Sequence, residues 1–169
     1  MPTDTPVLAT LVVGDRTFRV CRATRDDVPG IVALLRDDVL GSGREGAPES
    51  RYLAAFEAVD ADPAHTLVVV REQGAGADPP ALLATLQLTL LPGLSRGGAT
   101  RLQVEGVRVA DAARGSGLGT ALLEWVAAYG RERGAVLAQL TTDRARTEAR
   151  RFYERLGWVA SHDGMKLTL

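Results

Sequence analysis

The sequence contains few residues that could form crosslinks or bind metal ions. Among its 169 residues there are one cysteine, Cys21, and two histidines, His65 and His162. A lone cysteine cannot form an internal disulfide, and these three side chains do not have the spacing of zinc ligands. We therefore expect no metal site and a reducing, cytoplasmic compartment, with Cys21 a small core residue rather than a nucleophile.

Long apolar runs and an excess of charge of one sign are also absent. No apolar run approaches the roughly 20 residues that cross a bilayer, and the first four residues lack the basic region of a signal peptide. The net charge is -1 and the pI is about 6.1, so no long-range positive field attracts nucleic acid or anionic lipid. We expect neither a membrane nor a nucleic-acid partner.

The remaining composition is that of an ordinary folded protein. Hydrophobic residues make up 46% and charged residues 24% of the chain, which is typical of a globular domain. We predict one domain over residues 1–169. Within it, residues 1–16 are an N-terminal extension that supplies one strand of a hairpin.

Hydrophobic periodicity predicts both strands and helices. Strands are expected over residues 7–13, 17–23, 66–71, 81–91, 103–109 and 136–140, with two short terminal strands after them. Helices are expected from near Asp26, capped by Thr24, to Gly41, and over residues 118–133 and 144–156. A further amphipathic segment surrounds residues 52–59. The last helix has a predicted core stripe of Ala145, Ala149, Phe152 and Leu156.

The order of these elements indicates the fold class. The hairpins imply antiparallel neighbours, and the strand–helix–strand unit near the C-terminus implies a parallel, right-handed crossover. The expected fold is a mixed α/β one, with a mostly antiparallel central sheet and helices on both faces. His65 is expected in the loop before its strand.

A glycine-rich turn joins the predicted strand 103–109 to the helix that follows. Its glycines allow backbone N–H groups to converge, and a helix N-terminus adds partial positive charge, so the turn suits a pyrophosphate. A P-loop would need a lysine, and none is near. A dinucleotide fold would need Gly-x-Gly-x-x-Gly, which fails at Thr120, although Asp143 follows the next strand, so it stays a weak alternative.

A third pattern, Arg/Gln-x-x-Gly-x-Gly/Ala, is met in full by Arg114, Gly117 and Gly119. A second segment, from Ala149 to Trp158, fits Ala-x-x-Phe-Tyr-x-x-x-Gly-aromatic. With both motifs in order, the sequence resembles the GNAT superfamily of acyl-CoA N-acetyltransferases over roughly residues 17–169.

The resemblance implies a GNAT-like fold with acetyl-CoA as cosubstrate. The strand segment Val107, Arg108 and Val109 would line the pantetheine arm, and backbone groups of the two valines would pair with it. The pyrophosphate would be held by the turn Arg114, Gly115, Ser116, Gly117, Leu118, Gly119 and Thr120. Relatives often have an asparagine shortly before the position of Ala149; here Arg146 stands in that region and would replace its cofactor contact.

Two catalytic residues are also implied by the resemblance. Glu105 interrupts an apolar strand at the position that serves as base in many relatives; its alternative role is a rim carboxylate in an ion pair. Tyr153 matches the residue that protonates the departing thiolate; its alternative role is a packed aromatic.

The implied activity is acetylation of a primary amine on a small molecule or peptide, by direct transfer in a ternary complex, by a monomer or homodimer. A non-catalytic acyl-CoA-binding module and a small dinucleotide-binding protein are the alternatives. The acceptor amine is not identified by these motifs, because superfamily members use variable loops to select it.

Overall fold

The computed structural model describes residues 6–37, 43–74, 76 and 80–169. Six strands form one sheet in the order β1 to β6, and each pair of neighbours is antiparallel except β5 and β6, which run parallel. The mixed, mostly antiparallel fold class is therefore confirmed. The strands are β1 (Val7–Val13), β2 (Arg16–Arg22), β3 (His65–Glu72), β4 (Ala84–Pro92), β5 (Thr100–Val109) and β6 (Ala135–Leu140).

Helices cover both faces of this sheet, as predicted. On one side, which we call the α1 face, α1 and α2 enclose a small core that contains Cys21, Val69 and Phe56. On the other side, the α4 face, a larger core contains Phe18, Leu86 and Leu122. The helices are α1 (Val28–Arg36), α2 (Glu49–Ala61), a single distorted turn α3 (Ser95–Gly98), α4 (Leu118–Glu132) and α5 (Thr147–Arg155). None of the helices in the described ranges is long and apolar enough to cross a bilayer.

The start of α1 is set by a hydrogen-bonded turn around Thr24 and Asp27. The Asp27 carboxylate accepts bonds from the backbone N–H of Thr24 at 2.7 Å and from its hydroxyl at 3.0 Å. Asp27 is buried, and its other oxygen is paired with the Arg71 guanidinium from β3, which compensates the buried charge. The predicted stop of this helix at Gly41 lies outside the described residues, as do residues 1–5 of the predicted extension.

Near the C-terminus the structure corrects two predictions. The last helix begins at Thr147 rather than 144, because Asp143 forms a turn: its carboxylate accepts the N–H of Ala145 at 3.0 Å and its carbonyl accepts the N–H of Arg146 at 2.9 Å. Ala145 is consequently exposed and not part of the core stripe.

The two predicted terminal strands do not form within the described residues after α5. Met165, Leu167 and Leu169 alternate as in a strand but are exposed. No backbone hydrogen bond joins them to the sheet in the described structure, and an apolar alternation is not sufficient without such a partner. His65 is also corrected, since it is the first residue of β3 rather than a loop residue.

Candidate active site

The parallel strands β5 and β6 separate after their pair Val104 and Leu140. Strand β5 continues to Val109 and stays paired with β4 on its other side, where Val109 lies opposite Ala84. Residues 105–109 therefore have a free backbone edge toward the place that β6 has left. We call this opening the β5–β6 cleft.

A bulge at the start of the cleft turns the backbone. The β4–β5 register shifts between Gln87 and Thr85, and Gly106 has φ +61°, a conformation that other residues rarely adopt. Beyond the bulge, the N–H of Ala110 donates to the Leu83 carbonyl of the β3–β4 connection at 2.8 Å. Because strand residues alternate in direction, the backbone groups of Val107 and Val109 face the cleft.

Arginine side chains already bond to both of these carbonyls. Arg108 Nη1 donates to the Val107 carbonyl at 2.8 Å, and Arg114 Nε donates to the Val109 carbonyl at 3.2 Å. A carbonyl oxygen has two lone pairs, so an incoming donor can either share it or replace the arginine. Two carbonyls of the edge predicted to receive the pantetheine arm thus have hydrogen-bond partners within the chain.

The glycine-rich turn leads directly into α4. Gly115 and Gly117 have φ of +73° and +91°, and Gly117 is the N-cap of the helix. The Ser116 hydroxyl donates to the Ala113 carbonyl at 2.7 Å and accepts the N–H of Leu118 at 3.3 Å. The following N–H groups in the first turn of a helix have no intrahelical partner. Their direction and the helix dipole suit an anion such as a pyrophosphate.

Gly119 and Gly117 also lie in close packing with their neighbours. A Cβ atom on Gly119 would lie 3.2 Å from Cζ of Phe152 on α5, and one on Gly117 would lie 3.0 Å from Val13 on β1. The two sequence motifs therefore meet in space, with the aromatic segment of α5 packed on the first turn of α4. The N-terminal strand supports the turn from the other side.

Arg114 is the first residue of the turn and was predicted to contact the pyrophosphate bound there. Its guanidinium forms an ion pair with Asp111, three residues earlier, and its side chain is 58% exposed. An exposed ion pair of this kind is worth little, so the guanidinium can be redirected to a phosphate at small cost. Its predicted contact with the pyrophosphate remains a prediction.

Tyr153 lies half-buried on α5 beside the aromatic rings of Phe152 and Trp158, with ring centroids 5.6 Å and 6.0 Å away. Burial raises the pKa of its phenol, and the positive charges of Arg108 and Arg146 oppose that rise only in part. The phenol consequently keeps its proton at neutral pH and can donate it. Arg108 and Arg146 thus lie near enough to Tyr153 for their charges to act on its phenol. The role of Tyr153 as thiol-protonating residue stays a prediction.

Glu105 is exposed at the start of the cleft, directly opposite Gln87 on β4. Among the described residues no cation lies within ion-pair distance of its carboxylate, so the alternative of a rim ion pair has no support there. Its side chain projects on the α1 face, where Leu35 of α1 approaches Gly106.

A pair of glutamines near Glu105 was not identified from the sequence. Gln139 on β6 donates to Gln103 on β5 at 2.7 Å, and the two are register partners just below the cleft. Each glutamine can be read from the sequence as an amide within a strand. Their pairing depends on the register of β5 and β6, because the two residues are 36 positions apart.

Comparison with known proteins identifies relatives for this geometry. The sequence model of the acetyltransferase (GNAT) family matches residues 31–158. No curated protein matches the sequence significantly. A crystal structure described as a transcriptional regulator from Bacillus halodurans is 38% identical, with TM-score 0.81, and the match covers 90% of this chain and 99% of that one.

Two more distant structures share the fold. An acetyltransferase of Trypanosoma brucei is 22% identical with TM-score 0.72, covering 90% of this chain and 99% of that one. A protein of Clostridium acetobutylicum described as a predicted acetyltransferase, crystallised with acetyl-CoA, is 15% identical with TM-score 0.66, covering 89% and 96%.

The raised pKa of Tyr153 leads to a titration prediction. The difference in tyrosinate absorbance between the wild type and Tyr153→Phe should show a midpoint above the ordinary value of about 10, because burial disfavours the phenolate. A midpoint at or below that value would mean that the charges of Arg108 and Arg146 outweigh burial, contrary to the structure.

Proposed function

Because this chain belongs to the acetyltransferase (GNAT) family, whose general activity is acetyl transfer, we propose that it moves the acetyl group of acetyl-CoA to a primary amine. The acceptor is a small molecule or peptide, and transfer is direct, within a ternary complex. The observation that carries this proposal is the β5–β6 cleft. There a free strand edge, the N-terminus of α4 and a protonated tyrosine converge.

The residues at the cleft fit acetyl-CoA. The backbone edge at Val107 and Val109 would receive the amide groups of the pantetheine arm, as an added strand would. The first turn of α4 would hold the pyrophosphate, with Arg114 as a second contact. Arg146 precedes α5 and would add positive charge nearby. Bound there, acetyl-CoA supplies an acetyl thioester, so that an N–C bond forms while a C–S bond breaks.

The chain's own residues would move the protons of this reaction. A protonated amine is not a nucleophile, so Glu105 would accept the amine proton directly or through one water. Tyr153 would give its proton to the departing sulfur, and its buried position keeps that proton available at neutral pH. The ammonium nitrogen loses two protons in all. One goes to Glu105, and the second, released once the N–C bond has formed, would restore the Tyr153 phenol after it has protonated the sulfur, so no covalent intermediate on the enzyme is needed.

The other sequence-based functions have less support. A dinucleotide fold is built on a parallel sheet, whereas β5 and β6 are the one parallel pair in the described structure. The Bacillus halodurans relative is described as a transcriptional regulator, but a net charge of -1 gives this chain little electrostatic attraction to DNA. A non-catalytic acyl-CoA-binding module stays the main alternative.

Replacement of Tyr153 by Phe tests the proton donor. We expect kcat to fall about 100-fold, because positioned proton transfer contributes at least that much, with little change in acetyl-CoA affinity measured by calorimetry. Tyr129→Phe is the matched control, since that hydroxyl is hydrogen-bonded to Thr66 in the core on the α4 face. Equal kcat values for the Tyr153 variant and the wild type would exclude the donor role.

Replacement of Glu105 by Gln tests the base. The rate should fall by about 100-fold near neutral pH, and the deficit should shrink as the pH approaches about 10, where an amine loses its own proton. Glu124→Gln, at an exposed position on α4, should behave as the wild type. A loss that is constant with pH would indicate that Glu105 binds or orients the acceptor and does not remove a proton.

A further inference from the structure

A line of polar side chains runs along the α1 face of β5 and β6, below the cleft. From Glu105 toward the N-terminus of β5, alternate residues share this face, and they are Gln103 and Arg101. Gln103 is the register partner of Gln139, whose amide donates to it at 2.7 Å. The carboxylate, the amide pair and the guanidinium therefore follow one another along a single strand.

The side-chain partner of Arg101 is a neutral amide. Its Nη1 lies 3.5 Å from the Gln139 amide oxygen. Among the described residues no carboxylate lies within ion-pair distance of its guanidinium. It is half-buried, as are Gln103 and Gln139. A guanidinium held by a neutral amide keeps its planar fork available for a carboxylate or phosphate.

Within the described ranges, α1 and α2 make no extensive contact with this face of β6. The main helix packed on β6 is α4, which lies on the opposite face. On the α1 face, α1 and α2 cover β2 and β3, and α1 reaches β5 near Gly106. Arg101, Gln103 and Gln139 lie on the same face as Glu105, next to the part of β5 that α1 approaches.

The distance between Glu105 and Arg101 limits the length of a ligand that could contact both. Glu105 and Arg101 are four residues apart on one strand, a Cα separation of about 13 Å. Their side chains can bend toward a ligand that lies between them, so its two ends should be closer together than that. A fully extended tripeptide spans about 10 Å.

We propose that the acceptor is a zwitterionic amine, with its amino group at Glu105 and an anionic group, carboxylate or phosphate, at Arg101. Its polar middle part lies on the amides of Gln103 and Gln139. This proposal rests on the proposed acetyltransferase function and specifies its substrate class. Arg101 is a specificity residue that binds the end of the acceptor remote from the reacting nitrogen.

The test compares acceptors that differ only in the anionic end. Triglycine is paired with triglycine amide for the carboxylate, and 6-aminohexyl phosphate is paired with 6-aminohexanol for the phosphate. Release of CoA is measured at constant pH and ionic strength. We expect kcat/KM to be at least about tenfold higher for one anionic acceptor than for its neutral partner, equivalent to about 1.4 kcal/mol.

The variant Arg101→Gln should abolish that preference by raising KM for the anionic acceptor, while the neutral partner reacts as with the wild type. Arg131→Gln is the matched control, because it removes the same charge from α4 on the other face and should leave the preference intact. A preference lost equally in both variants would mean that overall charge, not a site at Arg101, selects the acceptor.

Two further outcomes separate the two proposals. If neutral and anionic amines are acetylated equally well by the wild type, the acceptor assignment is wrong and the acetyltransferase function stands. If acetyl-CoA binds but no amine of the panel releases CoA, the proposed transfer to amines is contradicted and the acceptor assignment falls with it.

Discussion

The separation of β5 from β6 after Val104 and Leu140 is the feature on which the rest of the site depends. A parallel pair that stayed hydrogen-bonded to Val109 would leave no free strand edge and no room for a thioester. The connection from β5 through the glycine-rich turn to α4 fixes the other side of the same opening. Packing of Phe152 against Gly119 then holds α5 and Tyr153 beside it.

Two backbone carbonyls at the cleft have hydrogen-bond partners within the chain. Buried or half-buried carbonyls are costly when they lack a hydrogen bond, and the carbonyls of Val107 and Val109 accept bonds from Arg108 and Arg114. Arg114 is further held by Asp111. The contacts of Arg114 are exposed, so a ligand could replace them at small net cost.

Local signals were sufficient to predict the parts of the site that are contiguous in sequence. The glycine-rich turn has a defined position between a strand and a helix, so its location at the N-terminus of α4 could be derived before the fold was known. The same holds for the placement of Tyr153 on a helix, one residue beside the half-buried Phe152. Thr24 likewise preceded a recognisable helix start.

Other features depend on tertiary pairing and could not be derived in this way. The hydrogen bond between Gln103 and Gln139 requires the register of a parallel pair, which no local pattern specifies. Helix α5 begins later than predicted because the Asp143 carboxylate accepts a hydrogen bond from the N–H of Ala145. The alternation of Met165, Leu167 and Leu169 suggested a strand, but no neighbouring edge bonds to it in the described structure.

Calorimetric titration with acetyl-CoA tests the central claim, that the β5–β6 cleft and the turn before α4 form an acyl-CoA site. The account predicts saturable binding by the wild type, weaker binding by Arg114→Ala, and no competition by NAD. Absence of acetyl-CoA binding by the folded protein, or tighter binding of NAD, would contradict it.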